Sequence, residues 1–131
     1  MTEPHVARSA YLTPEPGRLL LLADAGSLHT RRWATALAAR GRDVHVASLR
    51  PFEIPGVTVH LLRGVVPGRL GIPGVVPRVR HLVRKLAPDL VHAHYATSYG
   101  LLGALAGHRP LMISVWGSDV YEWPRQGPCL L

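Results

Sequence analysis

A chain of 131 residues is long enough for one domain, which at this size buries roughly two thirds of the surface its unfolded form exposes. Hydrophobic residues make up 47% and charged residues 18%, too apolar for an intrinsically disordered chain and ordinary for a globular α/β domain. The net charge of +7 comes almost wholly from arginine, with no zinc-finger spacing or aromatic single-strand platform beside it. Nucleic acid is therefore not an expected partner, and phosphate-bearing ligands or lipid headgroups fit the charge at least as well.

Residues 1 to 17 hold Pro4, Pro14, Pro16 and Gly17 without an apolar period and read as a flexible leader. Leu19 to Ala23 is a continuous apolar run, the pattern of a parallel strand covered on both faces, ending at Asp24. From Thr30 to Arg40, Trp33, Ala34, Leu37 and Ala38 recur at helical spacing, and Gly41 is placed to stop that helix. Asp43 to Leu49 and Val57 to Leu62 read as the next two strands, separated by Pro51, Pro55 and Gly56.

Gly64 to Val76 reads as an irregular apolar loop, after which Pro77 suits the first turn of a helix whose buried stripe is Val79, Leu82, Val83 and Leu86. Arg78, Arg80, Arg84 and Lys85 fall largely off that stripe, either as a solvated face or as a contact to an anionic membrane. A fourth strand starts at Asp89, a further helix spans about Thr97 to Ala106, and Leu111 to Trp116 is the fifth strand. Strands alternating with helices predict an open, right-handed parallel sheet with helices on both faces, a Rossmann-like arrangement.

No run of about 18 apolar residues and no signal-peptide pattern is present, so a cytoplasmic location is expected. Cys129 has no partner cysteine for an intrachain disulfide.

Ligands of open α/β sheets sit beyond the carboxyl ends of the strands, so three turns carry the functional expectation. In Asp24-Ala-Gly-Ser-Leu-His29, Gly26 permits close backbone approach, Ser27 can donate, and Arg31 or Arg32 adds charge at a helix N-terminus suited to an anion. The alternative is a tight connection with Ser27 as helix cap. His92 and His94 share one face of the fourth strand. They are open to a metal pair or, for His92, to a core histidine, while His94 at the strand end can bond a substrate hydroxyl or phosphate. Trp116-Gly-Ser-Asp119 offers a backbone approach, a hydroxyl and a carboxylate, or merely a helix cap. The dinucleotide fingerprint and the Walker pattern are both absent from the chain.

Gly26-Ser-Leu-His-Thr-Arg-Arg-Trp-Ala34, Pro88-Asp-Leu-Val-His-Ala-His-Tyr95 and Ser114-Val-Trp-Gly-Ser-Asp-Val120 together resemble the N-terminal domain of family 4 glycosyltransferases, retaining enzymes of the GT-B fold. The resemblance covers about residues 18 to 124, leaving 125 to 131 as a tail. It implies the N-terminal half of a GT-B enzyme, which binds a sugar or lipid-linked acceptor and lines the sugar-transfer cleft. The nucleotide-sugar donor would be a co-substrate, and no metal or other cofactor is implied. His94 would contact the transferring sugar as the catalytic candidate. Gly26, Ser27, His29, Arg31, Tyr95, Gly117, Ser118 and Asp119 would line the substrate cleft. The donor domain with its E-x7-E region does not fall within these residues, so the chain alone is not expected to turn over a nucleotide sugar, and a separate donor-domain chain is an implied partner. Peripheral association with the inner face of the membrane is the further expectation, and the alternative reading is a stand-alone module binding a phosphorylated ligand or an anionic membrane.

Overall fold

The computed structural model describes residues 17–63 and 71–122. The expected leader up to residue 16, the first seven residues of the expected loop and the expected tail over 125–131 lie outside them.

Five strands form one sheet: β1 (Arg18–Leu22), β2 (Asp43–Ser48), β3 (Thr58–Leu61), β4 (Leu90–His94) and β5 (Leu111–Ser114). Their order is β3-β2-β1-β4-β5 and every neighbouring pair is parallel. Three helices connect them, α1 (Leu28–Ala39), α2 (Ile72–Leu86) and α3 (Ser98–Ala106). This is the expected Rossmann-like sheet, and the direction of strand order reverses between β1 and β4.

β1 is apolar without alternation because it is central and covered twice: Leu20, Leu21 and Leu22 are each fully buried. Leu21 packs with Val44, Val46, Ala34 and Ile54 on the α1 side. Leu20 and Leu22 pack with Val75, Val79, Leu82, Val83, Leu86, Val91, Ala93 and Leu102 on the α2 and α3 side. The second core is the larger, and the α1 side changes character across the sheet. Register places Leu21 of β1 opposite His92 of β4, so the aliphatic face of β1 and β2 gives way to imidazoles at β4.

Two expectations are corrected. The helix expected to open at Pro77 begins at Ile72, with Pro73 in the first-turn position where a proline's missing N–H costs nothing, and Pro77 lies inside it. The extra turn is held because it brings Val75 and Val76 into the main core, while the Pro77 ring sits on the exposed side. Trp33, expected in the buried stripe of α1, is 42% exposed and stands edge-on to His92 and His94.

α3 lies close against the turn that precedes it. A Cβ on Gly100 would stand 2.7 Å from the carbonyl oxygen of Tyr95, a backbone atom that cannot swing away, whereas one on Gly103 would meet the mobile end of Leu111. Gly100→Ala is expected to lose about 1–2 kcal/mol in urea denaturation, overcrowding outweighing alanine's helix preference. Gly103→Ala should be close to neutral, and an equal loss at both sites would contradict the close-approach argument.

At the amino ends of the strands, Arg18 ties the layers together. Its guanidinium donates to Asp43 at 2.6 Å and to the Leu86 carbonyl at 2.7 Å, and its backbone N–H donates to Asp89 at 2.7 Å. No helix among the described residues is long and apolar enough to cross a membrane.

Candidate functional site

The carboxyl ends of β1, β4 and β5 each run into a turn whose geometry is fixed by a different residue. After β1, the Asp24 side chain accepts from the Gly26 N–H at 2.9 Å and its carbonyl accepts from the Ser27 N–H at 3.0 Å, which folds the chain into the start of α1. Ser27 occupies the cap position, but its hydroxyl makes no capping bond and the first turn of α1 contains no acidic residue. The unpaired amides of that turn thus keep their partial positive charge. The Gly26 amide itself is taken by Asp24, whose other oxygen lies 3.4 Å from Arg50. An anion at this turn would therefore sit on α1 beyond Gly26.

After β4, Tyr95 adopts a left-handed backbone with φ of 70°, a conformation that favours glycine and costs an aromatic residue on the order of 1 kcal/mol. It is held by two backbone bonds: its N–H donates to the Ser114 carbonyl and its carbonyl accepts from Gly100, both at 2.9 Å. After β5, Gly117 turns the chain at φ of 99°, and a short π-helical turn follows over Ser118–Glu122.

Asp119 joins the second and third turns. It is 7% exposed, and its two carboxylate oxygens accept from the Ala96 N–H at 2.7 Å and the Trp116 N–H at 3.0 Å. Burial by itself would raise its pKa, but the amides of Ala96, Trp116, Asp119 and Gly117 together hold the carboxyl below the usual value. Asp119 therefore fixes these two turns, its acceptor capacity being directed at the backbone. Ser118 lies exposed at the start of the same turn.

Five rings gather between these turns. His29 stacks on Trp116 with centroids 4.6 Å apart, and His94 meets Trp116 edge-on at 5.5 Å and His92 at 4.7 Å. Trp33 closes the group from α1, 5.7 Å from His92. His92 is buried and its Nε2 is 2.8 Å from the Ser114 hydroxyl, a partnered histidine of the sheet face. His94 is 1% exposed, its Nδ1 lies 3.4 Å from the hydroxyl of buried Thr30, and its Nε2 is buried without any partner. The indole Nε1 of Trp116 is likewise buried and unpartnered. Buried polar atoms in folded proteins are almost always satisfied, and these two ring nitrogens of one cluster are exceptions, as are Arg31 Nε and His108 Nε2 elsewhere.

Burial, reinforced by the neighbouring His92 and His29, pushes the His94 imidazole down to about 4. At neutral pH it is uncharged, with one nitrogen able to donate and the other to accept. When the Thr30 hydroxyl donates to Nδ1, Nε2 carries the proton. A group this weakly basic is poorly matched to proton abstraction near pH 7 and well matched to holding a hydroxyl.

The structure brings together His29, His94, Tyr95, Gly117 and Asp119, with Gly26 and Ser27 in the turn that leads into α1. Arg31 stays near the first turn: its guanidinium lies 5.0 Å from the centre of the Phe52 ring, the ring that a Cβ on Gly26 would meet at 3.7 Å, and Arg31 also lines a shallow depression with Leu28, Arg32 and Thr35 on the outer side of α1. Thr30, Trp33 and Trp116 belong to the cluster but were not legible as site residues. Only the Trp-Gly-Ser-Asp motif gave a signal for Trp116, and nothing in the local pattern marked Thr30. Among the described residues no group of three or more His, Cys, Asp or Glu is placed to hold a metal ion.

A five-stranded parallel sheet in the order β3-β2-β1-β4-β5 with helices on both faces is a Rossmann-like domain. More narrowly, residues 18–131 match the model of glycosyl transferase 4-like domains, and the chain belongs to that family. The general function is thus that of a glycosyltransferase, with a sugar donor and an acceptor as substrates. No curated protein matches the chain.

Proposed function

We propose that this domain forms the acceptor-binding side of a retaining, nucleotide-sugar-dependent glycosyltransferase, and that the ring cluster around His94 receives the sugar being transferred. The observation that carries the reading is the pair of buried, unpartnered nitrogens, His94 Nε2 and Trp116 Nε1. Sugar rings present hydroxyls to such groups and C–H faces to indole and imidazole rings, and both kinds of surface meet here.

The roles follow from the geometry. His94, neutral and fixed by Thr30, holds a hydroxyl of the sugar and does not carry a proton through the reaction. Trp116 and Trp33 wall the cluster, while Asp119 and the strained Tyr95 fix the turns that support it. The uncapped first turn of α1, which carries His29 and Thr30, favours negative charge developing on a leaving phosphate. This scheme requires neither a metal nor a further cofactor.

Nuclear magnetic resonance titration with a panel of nucleotide sugars and simple hexosides tests the reading. Shifts should concentrate at His29, Thr30, His94 and Trp116, and His94→Ala should weaken binding about tenfold or more through the lost hydrogen bond. Perturbations confined to the depression beside β3, lined by Glu53, Pro55 and Val57, would move the site there and end this assignment.

A further inference from the structure

We propose that the stacked imidazoles of His45 and His60 form a proton-operated latch, closed at neutral pH, that fastens the edge strand β3 to β2 and releases it when both rings are protonated. Register sets the pair on the face covered by α2 and α3: His45 lies opposite Leu20 of β1 and His60 opposite Ala47 of β2, both members of the main core. The rings around His94 are on the other face of the sheet. The His45 and His60 rings are 5.2 Å apart at an interplanar angle of 24°, and His45 Nδ1 lies 2.9 Å from His60 Nε2. β3 has few other holds. It is four residues long, is paired on one side only and contains no fully buried residue, Val59 packing in part against the α1-side core.

The bond between the rings dictates where protons can go. His45 Nε2 lies 3.2 Å from the Asp43 carboxylate, so this nitrogen carries the proton, and a neutral His45 presents a bare Nδ1 to the N–H of His60 Nε2. Asp43 stays ionised as pH falls, because the Arg18 guanidinium that donates to it holds its carboxyl below the usual value. A first added proton goes to His60 Nδ1 and leaves the ring-to-ring bond in place. A second, on His45 Nδ1, sets two N–H groups against each other and two positive rings in one stack, and the bond is lost.

The surrounding charge opposes this loading. Burial, the neighbouring His45 and Lys85 of α2 all lower the pKa of His60. The other cations of α2, Arg78, Arg80, His81 and Arg84, are exposed, with Arg80 turned to the Leu105 carbonyl. Arg42 lies toward Gly17 and Asp89, and Arg63 is exposed past the end of β3. Asp43, already shared with Arg18, is the carboxylate at the pair. Above pH 6.5 His60 is neutral whether latched or released, and the bond is unopposed. Below it a released His60 takes up a proton that the latched one resists, so acid favours the released strand.

Hydrogen–deuterium exchange of the full chain, corrected for the intrinsic pH dependence of amide exchange, tests the latch. It uses no sugar or nucleotide, so its outcome is separate from that of the transferase reading. From pH 7 to pH 5 the amides of β3 should exchange about tenfold faster, the factor for one unit of differential protonation. At pH 5 they should also exchange faster than those of β1, which open only with the whole domain. His60→Gln keeps a donor and an acceptor at this position but takes up no proton, and should abolish the rise. His60→Leu removes the bond and should leave β3 exchanging at pH 7 at least as fast as the wild type does at pH 5, with circular dichroism showing that each variant remains folded. A rise at β3 that persists in His60→Gln, a single exchange rate for β3 and β1 at pH 5, or wild-type protection of β3 in His60→Leu at pH 7 would overturn the proposal.

Discussion

Acidification from pH 6.5 to pH 4 is expected to remove roughly 3 kcal/mol of folding stability through a single imidazole. Unfolded, His94 takes up a proton near 6.5; in the folded protein it resists protonation down to about 4. Above pH 6.5 the group is neutral in both states and contributes no pH dependence. Between the two values the unfolded chain binds the proton and the folded one does not, so stability falls as pH falls. Below about 4 both states are protonated and this contribution levels off. Burial lowers His92 in the same direction, and burial with help from His45 and Lys85 lowers His60, so the slope should be steepened by these two. Urea midpoints collected across this range check the expectation. His94→Leu should flatten the profile whatever it does to stability at pH 7, and an unchanged slope in that variant would remove His94 as the cause.

Asp119→Ala should cost about 3 kcal/mol at neutral pH, an unusually large effect for a residue in a turn. The carboxylate is nearly enclosed and accepts from the amides of Ala96 and Trp116. Bonds to a charged acceptor are worth more than neutral ones, and its removal leaves both amides seeking partners. Asp119→Asn retains the shape but turns one acceptor into a donor facing an N–H, so it should fall between wild type and alanine. Trp116 follows directly from the released amide, hence its fluorescence should report a looser cluster in either variant. Wild-type denaturation by Asp119→Ala would mean that these turns are fixed by something else.

The sheet was legible because β1 is an unbroken aliphatic run, β2, β3 and β4 set aliphatic residues around histidines, and glycine and proline fall in the turns between strands. Strand ends moved by only one or two residues, as at Ala23 and Trp116. Pro77 misled because a proline near the start of an apolar period is usually the first helical residue, and here Pro73 already fills that role. Trp33 misled because helical spacing identifies a stripe without saying where its covering ends, and α1 covers β1 and β2 more than β4. The three turns were legible as strand ends, since glycine, serine and aspartate there break the apolar runs, although each also had a plain reading as a cap or tight connection. The centre of the site was not, because Thr30 and His94 are 64 residues apart and their contact exists only after β1 and β4 have paired. The same holds for the stacked His45 and His60, whose ring nitrogens approach to 2.9 Å across β2 and β3.

The strand order also imposes a sequence of events on folding. β1 emerges first and finds β2 after a separation of 25 residues, so β1, β2 and β3 can assemble early around α1. Its other neighbour, β4, is 71 residues away, and the α2 and α3 core exists only once that loop has closed. Leu20 and Leu22, the residues most deeply committed to that core, are therefore the ones exposed longest to water and to other chains. Closure of the largest loop governs both the folding rate and the window for misassembly. The ring cluster, built from both sides of the same seam, matures last.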